Sequence, residues 1–408
     1  MPGECGMGKM IPYGRQTISK EDVRAVLDVL KGDWLTQGPK ILEFEKALAS
    51  YCGSKYAVVV SNGTAALHIA CLVAGLKKGN EVVTTPITFA ATANAVLYTG
   101  AKPVFADVEK ATANISQDLI APRITSRTRA ILPVDYAGYP CNMEEIHRAS
   151  KKKGLVVIRD ACHALGAEYR TRIRGTKRNV AWLKVGCCKH SDMTVFSFHP
   201  VKPITTGEGG AVLTNNKLFY EKLLSLRTHG IVKEKKNLKI SGKGAWYSEM
   251  QELGFNYRAT DIQCALGISQ LARLDSFVKK RNMIALEYSK RFSGNPFFDM
   301  PVVKEGNRSS WHLYPIRLKS KGSCERDKIF KLLRASFLGV QVHYLPVYMH
   351  PYYQRLGYRK GLCPNAEAFH ESEISLPIYP SMVKSDISRV VDVVSKVFKK
   401  RRKNCDGN

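Results

Sequence analysis

Residues 193–214 read Met193-Thr194-Val195-Phe196-Ser197-Phe198-His199-Pro200-Val201-Lys202-Pro203-Ile204-Thr205-Thr206-Gly207-Glu208-Gly209-Gly210-Ala211-Val212-Leu213-Thr214. Two apolar runs, Met193–Ser197 and Gly210–Thr214, flank a lysine and a glycine-rich turn. A continuous apolar run of this length predicts a strand buried on both faces. The link between them is too short for a helical crossover, so one sheet position is expected to run antiparallel.

Working outward, similar runs recur at Ala57–Val60, Glu81–Thr85, Pro103–Asp107, Arg129–Val134 and Leu155–Arg159. Helical patterns separate them at Thr64–Ala74, Ala90–Tyr98 and Met143–Lys152. The alternation predicts an α/β fold with a mostly parallel sheet. After residue 258 the texture changes. Thr260 to Phe292 reads as a long, broken helix, and Trp311–Leu318 and Val340–Tyr344 read as strands. A C-terminal helix is expected from Ser385, as N-cap, through Phe398. The chain divides into a large domain over 11–258 and a small α+β domain over 259–408 that includes the connecting helix, with a cleft between them.

Composition narrows the class. The 408 residues are 44% hydrophobic and 24% charged, which excludes a disordered, collagen-like or coiled-coil chain. No apolar run reaches a membrane span, and Met1 to Met10 holds no signal-peptide core, so a cytoplasmic protein without a membrane partner is expected. Lys plus Arg number 63 against 35 Asp plus Glu, a net +28 that favours anionic ligands. The eleven cysteines show no CxxC pair, which predicts reduced thiols. Cys187-Cys188-Lys189-His190 has no second half-site, so no metal is expected.

Four places carry chemistry. Lys202, just past a buried strand, is placed where desolvation makes an amine nucleophilic, as a Schiff-base lysine requires; a solvated loop lysine is the plain alternative. Asp160 ends a strand and faces the ligand crevice, where it would keep a pyridine nitrogen protonated; it could also cap a helix starting at Ala161. Ser61-Asn62-Gly63-Thr64-Ala65 reads as a strand, turn and helix N-terminus that could hold a phosphate, without the lysine of a Walker loop. Phe89, where another strand hands over to a helix, can stack on a planar cofactor or belong to the core.

With these motifs, and with Val134-Asp135-Tyr136-Ala137-Gly138 and Gln341-Val342-His343-Tyr344-Leu345-Pro346-Val347, the chain resembles the DegT/DnrJ/EryC1/StrS sugar-nucleotide aminotransferases from about Ile11 to Phe398. The resemblance implies the type I (aspartate aminotransferase-like) fold of pyridoxal 5'-phosphate enzymes. By it, Lys202 carries the cofactor and shuttles a proton, Asp160 pairs with its ring nitrogen, and His163 lies near its phenolic oxygen. Phe89 stacks on the ring. Thr64, Ala65 and Ser197 contact the phosphate. Asn256 reaches the phosphate of a neighbouring subunit, which implies a homodimer with shared active sites. His343 and Tyr344 are the substrate residues. The implied reaction moves the amino group of L-glutamate to C4 of a UDP-linked 4-keto-6-deoxy-N-acetylhexosamine, in nucleotide-sugar (pseudaminic acid type) biosynthesis. Amination of another nucleotide-linked keto sugar, at C3 or C4, stays open, as does a non-catalytic basic binding protein. A dehydratase branch of the group lacks the lysine, and Lys202 is present. Nucleic acid is not an expected partner; the basic run Lys399–Lys403 follows a helix end, where cations are favourable anyway.

Two features depart from the family. Arg159 replaces an acidic residue before Asp160; its side chain is expected to point away, with a small effect. The stretch from Asp160 to Lys202 is long, with Arg170, Arg172, Arg174, Lys177, Arg178 and Lys184 and no acid between Arg170 and Lys184. It is expected to form a solvated, mobile basic loop, or a loop that steers an anionic sugar nucleotide.

Overall fold

A computed structural model describes residues 9–172, 180–319 and 323–405. Its centre is a seven-stranded sheet of β1 (Tyr56–Val60), β2 (Glu81–Thr84), β3 (Lys102–Phe105), β4 (Thr128–Leu132), β5 (Val156–Asp160), β6 (Met193–Ser197) and β7 (Gly210–Thr214). The spatial order is β1-β7-β6-β5-β4-β2-β3. β7 is antiparallel to both neighbours, and every other pairing is parallel. The short link of the opening motif therefore produces the antiparallel position expected of it. The carboxyl ends of β1, β2, β4, β5 and β6 consequently meet at one edge, where the crevice of an open α/β sheet lies.

Helices Gly63–Val73, Ala91–Tyr98 and Met143–Lys153 lie within a residue of their expected bounds. The long helix is broken into Asp261–Leu271 and Leu274–Arg291. Leu274 and Phe277 pack into the core beside the sheet, whereas Ile284, Ala285 and Tyr288 pack into the C-terminal core. One helix thus anchors both halves of the molecule.

Several expectations are corrected. Residues 340–344 are not a strand; the paired segment is Leu338–Gly339, parallel to Ile11–Pro12. Beyond it Gln341 makes a single bridge to Ser375, and the His343 backbone is held by side chains: the Tyr136 hydroxyl donates to the His343 carbonyl (2.6 Å) and the His343 N–H donates to Glu373 Oε2 (2.7 Å). The strand read at Trp311 starts at Tyr314. The C-terminal helix runs Lys384–Cys405, so it includes the basic residues 399–403. Its entry is fixed by the Val383 N–H donating to Asp386 Oδ2 (3.1 Å), not by Ser385 as cap. No helix follows Asp160; its carboxylate closes a turn by accepting the Cys162 N–H (3.1 Å).

The described part of the basic insertion also differs from a mobile loop. It is a hairpin of Glu168–Arg172 and Val180–Lys184, with Asn307–Arg308 as a third strand. Arg170 and Arg308 lie over the Trp182 ring at 5.1 and 4.0 Å, and Arg308 pairs with Glu168 (2.7 Å). Aromatic faces and carboxylates from neighbouring segments thus absorb these charges. Arg174, Lys177 and Arg178 lie outside the described residues.

Arg159 turns away from the crevice, as strand alternation predicts, but its burial makes it more than a minor substitution. Nε donates to Asp135 Oδ2 (2.7 Å) and Nη2 to Oδ1 (3.1 Å), and both side chains are almost fully enclosed. Asp135 also accepts the Cys141 N–H, and its own N–H donates to the Asp160 carbonyl (3.0 Å). The pair therefore ties the exit of β4 to the end of β5. Removing one partner of a buried pair strands the other charge, so Arg159→Leu is expected to cost about 3–5 kcal/mol in urea denaturation. The double change Arg159→Leu with Asp135→Leu is expected to recover most of that loss.

Candidate active site

The sheet edge opens into a cavity of about 780 Å³. Lys202, Asp160, His163, Thr64, Ala65, Phe89, Ser197, His343 and Tyr344 all line it, although they come from five separate stretches of sequence. Asn256 does not line it; it is exposed, in a bridge to Thr228.

Asp160 is buried at the end of β5. Oδ2 accepts from the Thr92 hydroxyl (2.7 Å), which in turn accepts from the Thr88 hydroxyl (2.7 Å). Oδ1 accepts the Cys162 N–H. Two donors therefore fix the carboxylate, one on each oxygen. Thr88 and Thr92 were not singled out in the sequence; Thr92 lies in the first turn of Ala91–Tyr98 and Thr88 in the bend before it.

Lys202 Nζ has no hydrogen bond or ion pair among the described residues, and burial pulls its pKa below the ordinary lysine value. The nearby Cys162 and Asp160 oppose that shift in part. Burial thus disfavours the ammonium form and favours the nucleophilic amine. His163 is buried with Nε2 3.2 Å from the Tyr344 hydroxyl, and its Nδ1 has no partner. Burial, reinforced by Lys202 and His343, holds its pKa well below the usual range, so the ring is neutral. His312, missed in the sequence, packs against it with ring centroids 4.3 Å apart.

The turn after β1 is shaped for close approach. A Cβ on Gly63 would lie 2.9 Å from Ser197 Cβ, and one on Gly210 would lie 2.5 Å from the Asn62 carbonyl oxygen. Asn62 Oδ1 caps the helix by accepting the Ala65 N–H (2.8 Å). That bond uses the Ala65 donor, so the N–H groups left at this helix start are those of Gly63 and Thr64. Phe89 is 62% exposed, which removes the reading of it as core; its ring faces the cavity 6.4 Å from that of Tyr344.

These residues fit pyridoxal 5'-phosphate. The anchored carboxylate suits a protonated ring nitrogen. The exposed aromatic ring suits a planar face, and the glycine-lined helix start suits a phosphate. The unpartnered His163 Nδ1 is a buried polar atom of the kind a ligand satisfies. Among the described residues, no group of three or more His, Cys, Asp or Glu side chains is arranged to hold a metal.

Sheet order and site together define an α/β protein of the type I pyridoxal-phosphate transferase fold. The chain belongs to the DegT/DnrJ/EryC1/StrS aminotransferase family, whose profile matches residues 16–395. It is 41% identical over 401 residues to the UDP-4-amino-4,6-dideoxy-N-acetyl-beta-L-altrosamine transaminase of Campylobacter jejuni, covering 98% of this chain and all of that one. Among solved structures it is similar to Helicobacter pylori PseC, an aminotransferase of pseudoaminic acid biosynthesis, with a TM-score of 0.86 and 36% identity over 96% of this chain and 100% of that one. It is also similar to the sugar aminotransferase Spr1654 from Streptococcus pneumoniae in its PLP form, with a TM-score of 0.86 and 28% identity over 96% and 99% of the two chains.

Thr92→Val removes the hydroxyl on Asp160 Oδ2 at nearly constant volume. A buried hydrogen bond to a charged group contributes about 1.5–3 kcal/mol. Retention of pyridoxal phosphate in equilibrium dialysis is therefore expected to weaken about tenfold or more. Unchanged retention would show that the Cys162 N–H alone is enough.

Proposed function

We propose that the protein is a pyridoxal-phosphate-dependent aminotransferase that moves the amino group of L-glutamate to C4 of a UDP-linked 4-keto-6-deoxy-N-acetylhexosamine. The observation that carries this reading is Lys202, desolvated and unpaired, opening onto the same cavity as the anchored Asp160. The substrate class is supported by the 41% identity to the C. jejuni transaminase across essentially both whole chains.

The cofactor, when bound, supplies an electron-poor ring that acidifies the C–H bond next to a substrate nitrogen. Lys202 supplies the amine that holds it, and once released carries the proton removed from that carbon. Asp160, fixed by Thr92 and Cys162, keeps the ring nitrogen protonated. Phe89 covers one face of the ring, and neutral His163 hydrogen-bonds the phenolic oxygen. The Gly63 and Thr64 N–H groups, with Ser197, hold the phosphate. His343 and Tyr344 orient the sugar.

The position of Asn256, exposed and outside the cavity of its own chain, supports its reaching a neighbouring subunit in a homodimer. Free cysteines and the lack of any described helix long and apolar enough to cross a membrane fit a cytoplasmic enzyme.

Reconstitution with pyridoxal phosphate is expected to give a visible absorbance band that collapses on adding L-glutamate and returns with the keto sugar. Borohydride reduction before glutamate should add the cofactor's mass to the peptide containing Lys202, and Lys202→Ala should show neither effect. A colourless, unlabelled wild type would overturn the reading. Sharing of sites has its own test. Lys202→Ala and Asn256→Ala homodimers, each with little activity, should regain activity when unfolded together and refolded, because a mixed dimer holds one site with both residues.

A further inference from the structure

Behind His343, away from the cavity, lies a buried carboxyl group that the proposed chemistry does not use. Glu373 and Ser375 sit on the strand Glu373–Leu376 and are fully buried. Ser375 Oγ lies between Glu373 Oε1 (2.5 Å) and His343 Nδ1 (2.9 Å). Glu373 Oε2 accepts the His343 backbone N–H, and the Tyr136 hydroxyl holds the His343 carbonyl. His343 is thus held at three points, its backbone N–H, its backbone carbonyl and the ring nitrogen Nδ1. Its other nitrogen, Nε2, has no hydrogen bond among the described residues, and the ring lines the cavity.

We propose that Glu373, Ser375 and His343 form a proton relay whose open end, His343 Nε2, delivers a proton into the cavity to the carbonyl oxygen of the acceptor sugar. This rests on the aminotransferase reading above. A ketone that becomes an amine loses its oxygen as water, and that oxygen must be protonated first.

The hydrogen-bond inventory allows two arrangements. With Glu373 protonated, its O–H donates to Ser375, Ser375 donates to Nδ1, and Nε2 carries the ring proton. With Glu373 ionised, Ser375 donates to Oε1, Nδ1–H donates to Ser375, and Nε2 is left with a lone pair. Passing from the first to the second, the Nε2 proton leaves to the substrate oxygen. In the same concerted step the Ser375 proton moves to Nδ1 and the Glu373 proton moves to Ser375. One proton is delivered, one negative charge remains on Glu373, and the ring stays neutral throughout.

The surroundings suit this direct transfer between neutral forms. Burial, with Lys202 adding to it, pulls the His343 pKa down to about 3, so a stored imidazolium is not available. Burial pushes Glu373 up to about 8, so near neutral pH the far end of the relay holds a proton to give. Of the groups facing Glu373, Arg326 favours its ionised form but spends its own hydrogen bonds on Asp327 and the His370 carbonyl, and Tyr136 and Tyr344 stay protonated. His163 and His312, on the His343 side, are neutral.

The test uses the holoenzyme and measures the two half-reactions separately. Glu373→Gln keeps a group that can hydrogen-bond but not release a proton. Ser375→Ala breaks the relay, and Ser375→Thr restores its hydroxyl. General acid catalysis is worth about 10²–10⁴-fold. The rate constant for nitrogen transfer to the keto sugar is therefore expected to fall in Glu373→Gln and Ser375→Ala by at least about tenfold more than that for glutamate, with the sugar's KM little changed. Ser375→Thr should recover most of it. Equal losses in both half-reactions, or none, would overturn the relay.

A second arm needs no turnover, so it decides the relay even if glutamate proves not to be the donor. Imidazole ¹⁵N spectra, with His343 assigned by its loss in His343→Asn, should show Nε2 protonated at about pH 6.5 and carrying a lone pair at about pH 9.5. Glu373→Gln should keep it protonated across the range. A wild-type His343 that keeps one tautomer throughout would refute the proposal.

Discussion

A carboxylate buried at the end of a parallel strand must be hydrogen-bonded to remain there, and the arrangement around Asp160 follows from that requirement. Thr92 takes one oxygen and the Cys162 N–H the other. The first bond needs the start of helix Ala91–Tyr98 beside the sheet edge, and the second needs a turn directly after β5. Both conditions bring the chain ends after β1, β2 and β6 to the same edge, where Gly63, Phe89 and Lys202 line the cavity.

Around that edge the two halves of the molecule are joined in several unlike ways. Helix Leu274–Arg291 has its first turns in one core and its middle in the other. Arg281, on the same helix, is buried without a carboxylate partner and donates to the carbonyls of Trp311, His312 and Ile378. Its attachment places His312 against His163. The basic hairpin adds a third tie through Asn307–Arg308. The cavity therefore has one wall from the sheet edge and another from segments more than a hundred residues further along the chain.

Imidazoles from both walls meet in the cavity. His163, His312 and His343 are all buried and all held neutral, and each lies within reach of the positive charge of Lys202. A desolvated lysine and three neutral imidazoles coexist because burial disfavours each positive charge; neighbouring cations reinforce this at the imidazoles, whereas Cys162 and Asp160 oppose it in part at Lys202. The imidazoles of the site consequently act as hydrogen-bond donors and acceptors more than as fixed charges.

Much of this was legible in the sequence because local physics decided it. The apolar runs fixed where strands would lie, the short link after Lys202 required an antiparallel neighbour, and Asn62-Gly63-Thr64 carried a helix cap and a close approach in three residues. Nine of the ten site positions read from the sequence, all but Asn256, meet in one cavity. Other features depended on partners distant in sequence. Val340–Tyr344 has the pattern of a strand, yet it keeps only the Gln341–Ser375 bridge, because Tyr136 and Glu373 claim the His343 backbone. The Arg-rich insertion has the composition of a mobile loop, but it pairs with Asn307–Arg308 and stacks on Trp182. Arg159 looked like a minor departure until folding enclosed it with Asp135. Strand runs and helical periodicity involve neighbours in the chain, so the sequence by itself determined them. The polar bonds of Thr92, Ser375 and Glu373 join groups that only the packed tertiary structure removes from water, and their partners could be assigned only there.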